Sequence, residues 1–149
     1  MVSNLYEAIL RDFGSFFNTP LQPDSHNNCK INLNDLDISI QIEIDKYGYA
    51  LIFCRLPEIQ GRYRDNLIVH ALKANEIYHP YTGVFGFSHK NSQLIVFLRF
   101  PAEALDRNKI EAHVPGFLRK AASWTKALKA GQMPDLNEEF APRSAATFL

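Results

Sequence analysis

DNLIVHALKANEIYHPYTGVFGFSHKNSQLIVFLRFP, running from Asp65 to Pro101, decides how the rest of the chain is read. It divides into a helix, a Thr-Gly turn and two strands joined by a short polar loop. At 100° per residue Leu67, Ala71, Ala74 and Tyr78 share one helical face, and Ile68 and Leu72 carry the apolar surface well past a right angle from it. A helix on a protein surface needs an apolar stripe of roughly 100°, and this one spans about twice that. In the closing strand Leu94, Val96, Leu98 and Phe100 face one way and Ile95 and Phe97 the other. An antiparallel sheet with one wet face alternates apolar with polar instead. Both elements therefore ask for cover on two sides. A second copy of the same chain supplies it most economically; a strand held between two of the chain's own helices is the alternative.

Working outward, residues 3–18 read as an amphipathic helix capped by Ser3, with Glu7 in its first turns where the helix dipole favours an acid. Leu5, Ile9, Phe13, Phe16 and Phe17 fall on one broad face. Three phenylalanines on one helix serve either as plain core or, for a partly exposed subset, as a docking surface. The stretch 19–28 holds two prolines and an Asp-Ser-His-Asn-Asn run, the composition of a loop. From Cys29 the period switches to two. Ile31 and Leu33 alternate with polar residues, and after a turn Leu36, Ile38, Ile40, Ile42 and Ile44 do the same, the clearest half-buried strand of the chain. Lys46-Tyr47-Gly48 turns it back into Tyr49–Arg55. Past the central stretch, Asn108 and Glu111 are spaced for a capping box. Ile110, Val114, Phe117, Leu118, Ala121, Trp124 and Leu128 then keep helical spacing, with Pro115 expected to bend that helix or reset its start.

The order α-β-β-β-α-β-β-α is an α+β layout: an antiparallel, twisted sheet with three helices. We expect one domain over 1–130 and a polar tail over 131–149, with homodimer formation through the second helix.

Lysines plus arginines equal aspartates plus glutamates at 16 each, so net charge draws the chain to neither nucleic acid nor an anionic membrane. The opening residues carry Glu7 and Asp12 and make no secretory signal. Apolar runs such as Leu94–Leu98 are far short of the ~20 residues that span a bilayer. Cys29 and Cys54 lack a partner motif and read as reduced thiols of a cytoplasm. The histidines (26, 70, 79, 89 and 113) stand at no metal-ligand spacing, and no glycine-rich phosphate loop occurs. His70 reads as an interface histidine. A pocket built from His70, His113 and distant acids is the enzymatic alternative. We expect no metal, no cofactor and no catalysis, but an apolar recognition module to which an extended peptide adds a strand.

Ala71-Leu72-Lys73-Ala74-Asn75, then Thr82-Gly83, then Leu94–Leu98 ending in Phe100-Pro101, preceded by a first helix closing on Asn18-Thr19-Pro20-Leu21, resembles the class I type III secretion chaperones, the Tir-chaperone and YopE-chaperone group, over about Leu5–Leu128. The resemblance implies a bacterial cytoplasmic homodimer that wraps the N-terminal chaperone-binding segment of a secreted effector, keeps it locally unfolded and presents it to the secretion apparatus, including its ATPase. It implies an effector surface from Leu5, Ile9, Phe13, Phe17, Leu21, Ile31, Leu33, Ile38 and Ile40. The dimer seam would take in Leu67, Ile68, Ala71, Leu72, Asn75, Ile95 and Phe97. A dimeric adaptor or regulator of the same fold, without a secretion role, is the competing reading.

Overall fold

A computed structural model describes residues 4–77 and 82–136. Helix α1 spans Asn4–Phe17; strands β1 (Cys29–Leu33), β2 (Ile38–Ile44) and β3 (Tyr49–Arg55) follow; then come helix α2 (Gly61–Ile77), strands β4 (Val84–Ser88) and β5 (Gln93–Pro101), and helix α3 (Arg107–Lys129). The strands form one antiparallel sheet in the order β1-β2-β3-β5-β4. Among the described residues this is the expected α+β arrangement of three α-helices and five strands.

Alternation decides the two faces. Cys29, Ile31, Ile38, Ile40, Ile42, Ala50, Ile52, Cys54, Leu94, Val96 and Leu98 stand on one side and are buried, covered by α1 and α3. Tyr6, Ile9, Leu10 and Phe13 come from α1, and Val114, Phe117, Ala121 and Trp124 from α3. The Tyr6 hydroxyl donates to the Ile42 carbonyl at 2.8 Å, fastening α1 to β2. Burial pushes both thiols up, Cys54 to about 11, so these cysteines behave as small core hydrophobes.

Several local expectations are corrected. The α1 face that packs is Tyr6, Ile9, Leu10, Phe13 and Gly14, turned from the expected one so that Leu5 lies at its margin. The cap of α3 is Asp106, whose carboxylate accepts from Lys109 N–H at 2.9 Å, not an Asn108–Glu111 box. The helix then continues through Pro115 without restarting. Leu36 belongs to a 3-10 turn, Asn34–Leu36, ahead of β2. The stretch 131–136, expected as tail, lies against α2: Tyr63 donates to the Gln132 carbonyl at 2.7 Å, His70 Nε2 donates to the Pro134 carbonyl, and Leu136 packs on the core. His70 thus serves its own subunit, its ring 5.8 Å from Trp124. The Ser3 cap, Tyr78, the His79-Pro80 stop and the remainder of the tail lie outside the described residues.

His113 on α3 sits 5.7 Å from the Phe100 ring. Desolvation there, with Lys109 nearby, holds its pKa below the ordinary histidine value. The neutral form is favoured by folding, so its contribution is complete above the unfolded value of about 6.5 and is lost as pH falls through the depressed folded value. The urea midpoint is expected to drop below pH 6.5, and His113→Gln should flatten that part of the pH profile. An unchanged slope in the variant would assign the pH dependence to another group.

Candidate binding surface

The nine side chains expected to line the effector groove divide. Ile9, Phe13, Ile31, Ile38 and Ile40 are buried, with Phe13 1% and Ile40 0% exposed. In the isolated subunit these five belong to the hydrophobic core, where the sequence reading expected groove surface. Periodicity identifies an apolar face but cannot say whether the chain itself covers it. Leu5 is 37% exposed, and Phe17, Leu21 and Leu33 are half-buried against the core margin. These four keep surface for a ligand.

The end of α1 is built to bring Leu21 back to the helix. Asn18 adopts φ 54°, the left-handed conformation that Asn tolerates. Thr19 N–H then reaches the Gly14 carbonyl at 2.9 Å and Asn18 N–H the Ser15 carbonyl at 3.3 Å, a Schellman closure. A Cβ on residue 14 would stand 2.9 Å from the Thr19 carbonyl oxygen, so the close return of the loop needs Gly14. The result is an open groove of about 600 Å³ between Leu10, Arg11 and Gly14 on the helix and Thr19, Pro20 and Leu21 on the loop. Phe17 stacks on Phe13 with centroids 6.4 Å apart and meets Phe16 edge-on at 5.0 Å.

Beside this lies a free sheet edge, whose hydrogen-bonding pattern follows from one bond. Asp45 N–H donates to the Tyr49 carbonyl at 2.8 Å, so 45 and 49 are a bonded pair. Bonded and non-bonded pairs alternate along an antiparallel ladder. On β2, Gln41 and Glu43 therefore bond β3, while Ile38, Ile40 and Ile42 bond Leu33, Ile31 and Cys29 of β1. The N–H and C=O groups of Lys30 and Asn32 consequently point away from the sheet, and no hydrogen bond among the described residues engages them. They are two open rungs. Glu43 on the same sheet has its carboxyl pushed up by burial, with Arg55 opposing the shift.

The expected dimer residues divide as well. Leu67 and Ala71 are buried under α2 in their own subunit. Asn75 is spent on β4, its side-chain amide bonding Phe85. Leu67 and Ala71 are thus packed within one subunit, while Asn75 is half-buried and held by its two bonds to Phe85. Ile68, Leu72, Ile95 and Phe97 retain surface, Leu72 being 61% and neighbouring Val69 51% exposed. The outer sheet face is polar over β1 and β2 (Lys30, Asn32, Ser39, Gln41, Glu43) and apolar over β3, β5 and β4 (Leu51, Phe53, Ile95, Phe97, Val84). Arg55 lies 5.2 Å from the Phe53 ring and bonds Gln41 at the border. Across the patch Arg99, 3.8 Å above the Tyr49 ring, bonds Asp45 at 3.1 Å. Desolvation opposes ionisation of Asp45, but Tyr49 and Tyr47 N–H groups and Arg99 outweigh it and hold the carboxyl below its usual range.

What sequence reading missed is the open edge of β1 and the engagement of Asn75. Both follow from the strand order, for which the sequence carries no signal. Among the described residues there is no group of three or more His, Cys, Asp or Glu side chains placed to hold a metal, and no helix is long and apolar enough to cross a membrane.

The model of the Tir chaperone protein (CesT) family matches residues 8–125. The fold is also that of solved chaperone complexes. The HopA1-SchA chaperone-effector complex has a chain 19% identical with TM-score 0.64, covering 83% of this chain and 94% of its own. The ExoT-SpcS complex from Pseudomonas aeruginosa matches at 19% identity and TM-score 0.62, over 80% of this chain and 97% of that one. The Yersinia pestis type III secretion chaperone SycH, solved with a fragment of YscM2, matches at 10% identity and TM-score 0.61, over 80% and 98%. Against curated proteins the sequence has no match.

Proposed function

Because the chain belongs to the Tir chaperone (CesT) family, we propose that it is a type III secretion chaperone that binds an extended N-terminal segment of a secreted effector. The observation that carries this reading is the edge of β1: two unpaired rungs, Lys30 and Asn32, beside the accessible aliphatic and aromatic margin formed by Leu5, Phe17, Leu21 and Leu33. A segment laid along β1 completes both rungs and sets alternate side chains against Leu33 and the α1 margin.

The energetics favour an apolar, extended ligand. Ordering the backbone costs about 1–2 kcal/mol per residue, and burial returns ~25 cal/mol per Å², so each ordered residue requires roughly 40–80 Å² of apolar surface removed from water. Alternating aliphatic anchors meet that requirement; a polar segment does not. The chaperone works as a homodimer through Ile68, Leu72, Ile95 and Phe97, so that two segments are carried per assembly. It acts in the bacterial cytoplasm, keeps the segment non-globular and hands it to the secretion apparatus and its ATPase.

Lys30→Pro tests the edge. Its N–H faces away from the sheet, so proline removes a docking donor without breaking the β1–β2 ladder. The tagged wild-type chain, purified from its host under secreting conditions, is expected to carry a polypeptide whose protease-protected part maps to that polypeptide's N-terminal region. Lys30→Pro should lose the polypeptide while keeping its far-ultraviolet spectrum and urea midpoint. Capture that is equal in the variant, or protection of a folded domain instead, would overturn the reading.

A further inference from the structure

A sheet that accepts a strand at one edge has a hazard at the other. If both edges of this sheet were open, β1 of one copy could pair with β4 of the next. Such a head-to-tail contact leaves an open edge at each end and grows unless its rotation closes a ring. The alternation that leaves Lys30 and Asn32 open on β1 also fixes β4. Leu56 N–H donates to the Leu94 carbonyl at 2.9 Å, so the even residues of β5 serve β3 and the odd ones serve β4. Val84, Gly86 and Ser88 thus bond Phe97, Ile95 and Gln93, and the outward groups of β4 are those of Phe85 and Phe87.

The Phe85 rung is taken. Asn75 of α2 presents its side-chain amide edge-on: Phe85 N–H donates to Asn75 Oδ1 at 2.8 Å, and Asn75 Nδ2 donates to the Phe85 carbonyl at 2.9 Å. An amide side chain carries the same donor and acceptor pair as a peptide group, so these two bonds copy one rung of a neighbouring strand. The inner side of the same residue is locked as well, the Phe85 ring lying 4.0 Å from Trp124. Phe87 alone is left, and one rung does not hold a strand.

We propose that Asn75 is the residue that makes this sheet one-ended: it closes the β4 edge and confines strand addition to β1. The inference rests on the functional reading only for the identity of the accepting edge; the closure of β4 stands on the Asn75–Phe85 bonds. A side chain with both a donor and an acceptor at this reach satisfies the whole rung; Asp satisfies its N–H alone, and Leu and Ala neither half.

The test uses the full chain and site-resolved amide hydrogen exchange. In the wild type, Phe85 N–H should exchange at least ten-fold more slowly than Phe87 N–H. Asn75→Ala is expected to bring Phe85 to the Phe87 rate while β3 and β5 amides keep theirs. Asn75→Asp, which retains the acceptor alone, should restore protection of the Phe85 amide. In sedimentation, Asn75→Ala should form species larger than the wild type that grow with concentration, and adding Lys30→Pro to it should return the wild-type profile by blocking the edge on which the next copy docks. Phe85 exchange that is unchanged in Asn75→Ala, or acceleration spread evenly over β3 and β5, overturns the proposal. Accelerated Phe85 exchange with no larger species overturns the anti-polymerisation role. Loss of effector capture by Lys30→Pro with wild-type behaviour of Asn75→Ala would leave the β1 reading in place and sink this one.

Discussion

Phe13→Asp and Ile40→Asp are expected to leave no folded protein at 25 °C. Phe13 is 1% and Ile40 0% exposed, one on α1 and the other at the centre of β2, and they meet in the same core. Phe13 also stacks on Phe17, linking the helix end to that core. Truncating a buried Phe to Ala alone costs about 3–5 kcal/mol, against a total stability of about 5–15 kcal/mol for a domain. An aspartate adds the desolvation of an unpaired carboxylate, several kcal/mol more, or must take up a proton. Circular dichroism and urea titration decide the matter. Phe13→Ala should fold with a sharply lowered midpoint, and the two aspartate variants should show no cooperative transition. Leu5→Ala and Leu33→Ala, at the accessible margin, should keep the wild-type stability to within about 1 kcal/mol. A cooperatively folded Phe13→Asp protein would mean that α1 does not close the core.

Leu72→Glu combined with Phe97→Glu is expected to convert a dimer into a folded monomer. Leu72 is 61% exposed on α2, and Phe97 keeps surface at the centre of the apolar half of the outer sheet face. Neither belongs to the core that α1 and α3 build over the opposite face. A two-fold interface contains each residue twice. At 1.5–3 kcal/mol for each buried side chain, the four copies contribute roughly 6–12 kcal/mol, enough to shift a dissociation constant by four decades or more. Sedimentation equilibrium at micromolar concentration should give twice the chain mass for the wild type and the chain mass for the variant. The melting temperature should depend on concentration only in the wild type. A wild type that sediments as a single chain at those concentrations would remove the dimer from the proposed function.

The two substitution sets separate what sequence patterning can and cannot distinguish. Alternation of Ile38, Ile40 and Ile42 with Ser39 and Gln41 requires a strand with one apolar face, because side chains on a pleated backbone point alternately to opposite sides. The identical alternation says nothing about whether α1 or an incoming peptide covers that face, and here α1 does. Hence five of nine expected groove residues are core. In α2 the wide apolar surface is real, but part of it (Leu67, Ala71) is met from within the subunit, and Leu72 and Val69 are not.

Taken alone, then, the sequence determined the element order, the antiparallel pairing of strands joined by short turns and the apolar alternation that marks one sheet face. Those are local properties, set by side-chain period, turn residues and composition. Tertiary structure decided the strand order β1-β2-β3-β5-β4, and with it which edge is open and which is closed. The insertion of β5 between β3 and β4 joins residues far apart in the chain, and Asn75 finds Phe85 only once α2 lies along that edge. Backbone hydrogen-bond direction is set by the partner strand and not by the residue itself, which is why Lys30, Asn32 and Phe85 acquire their roles only in the assembled sheet.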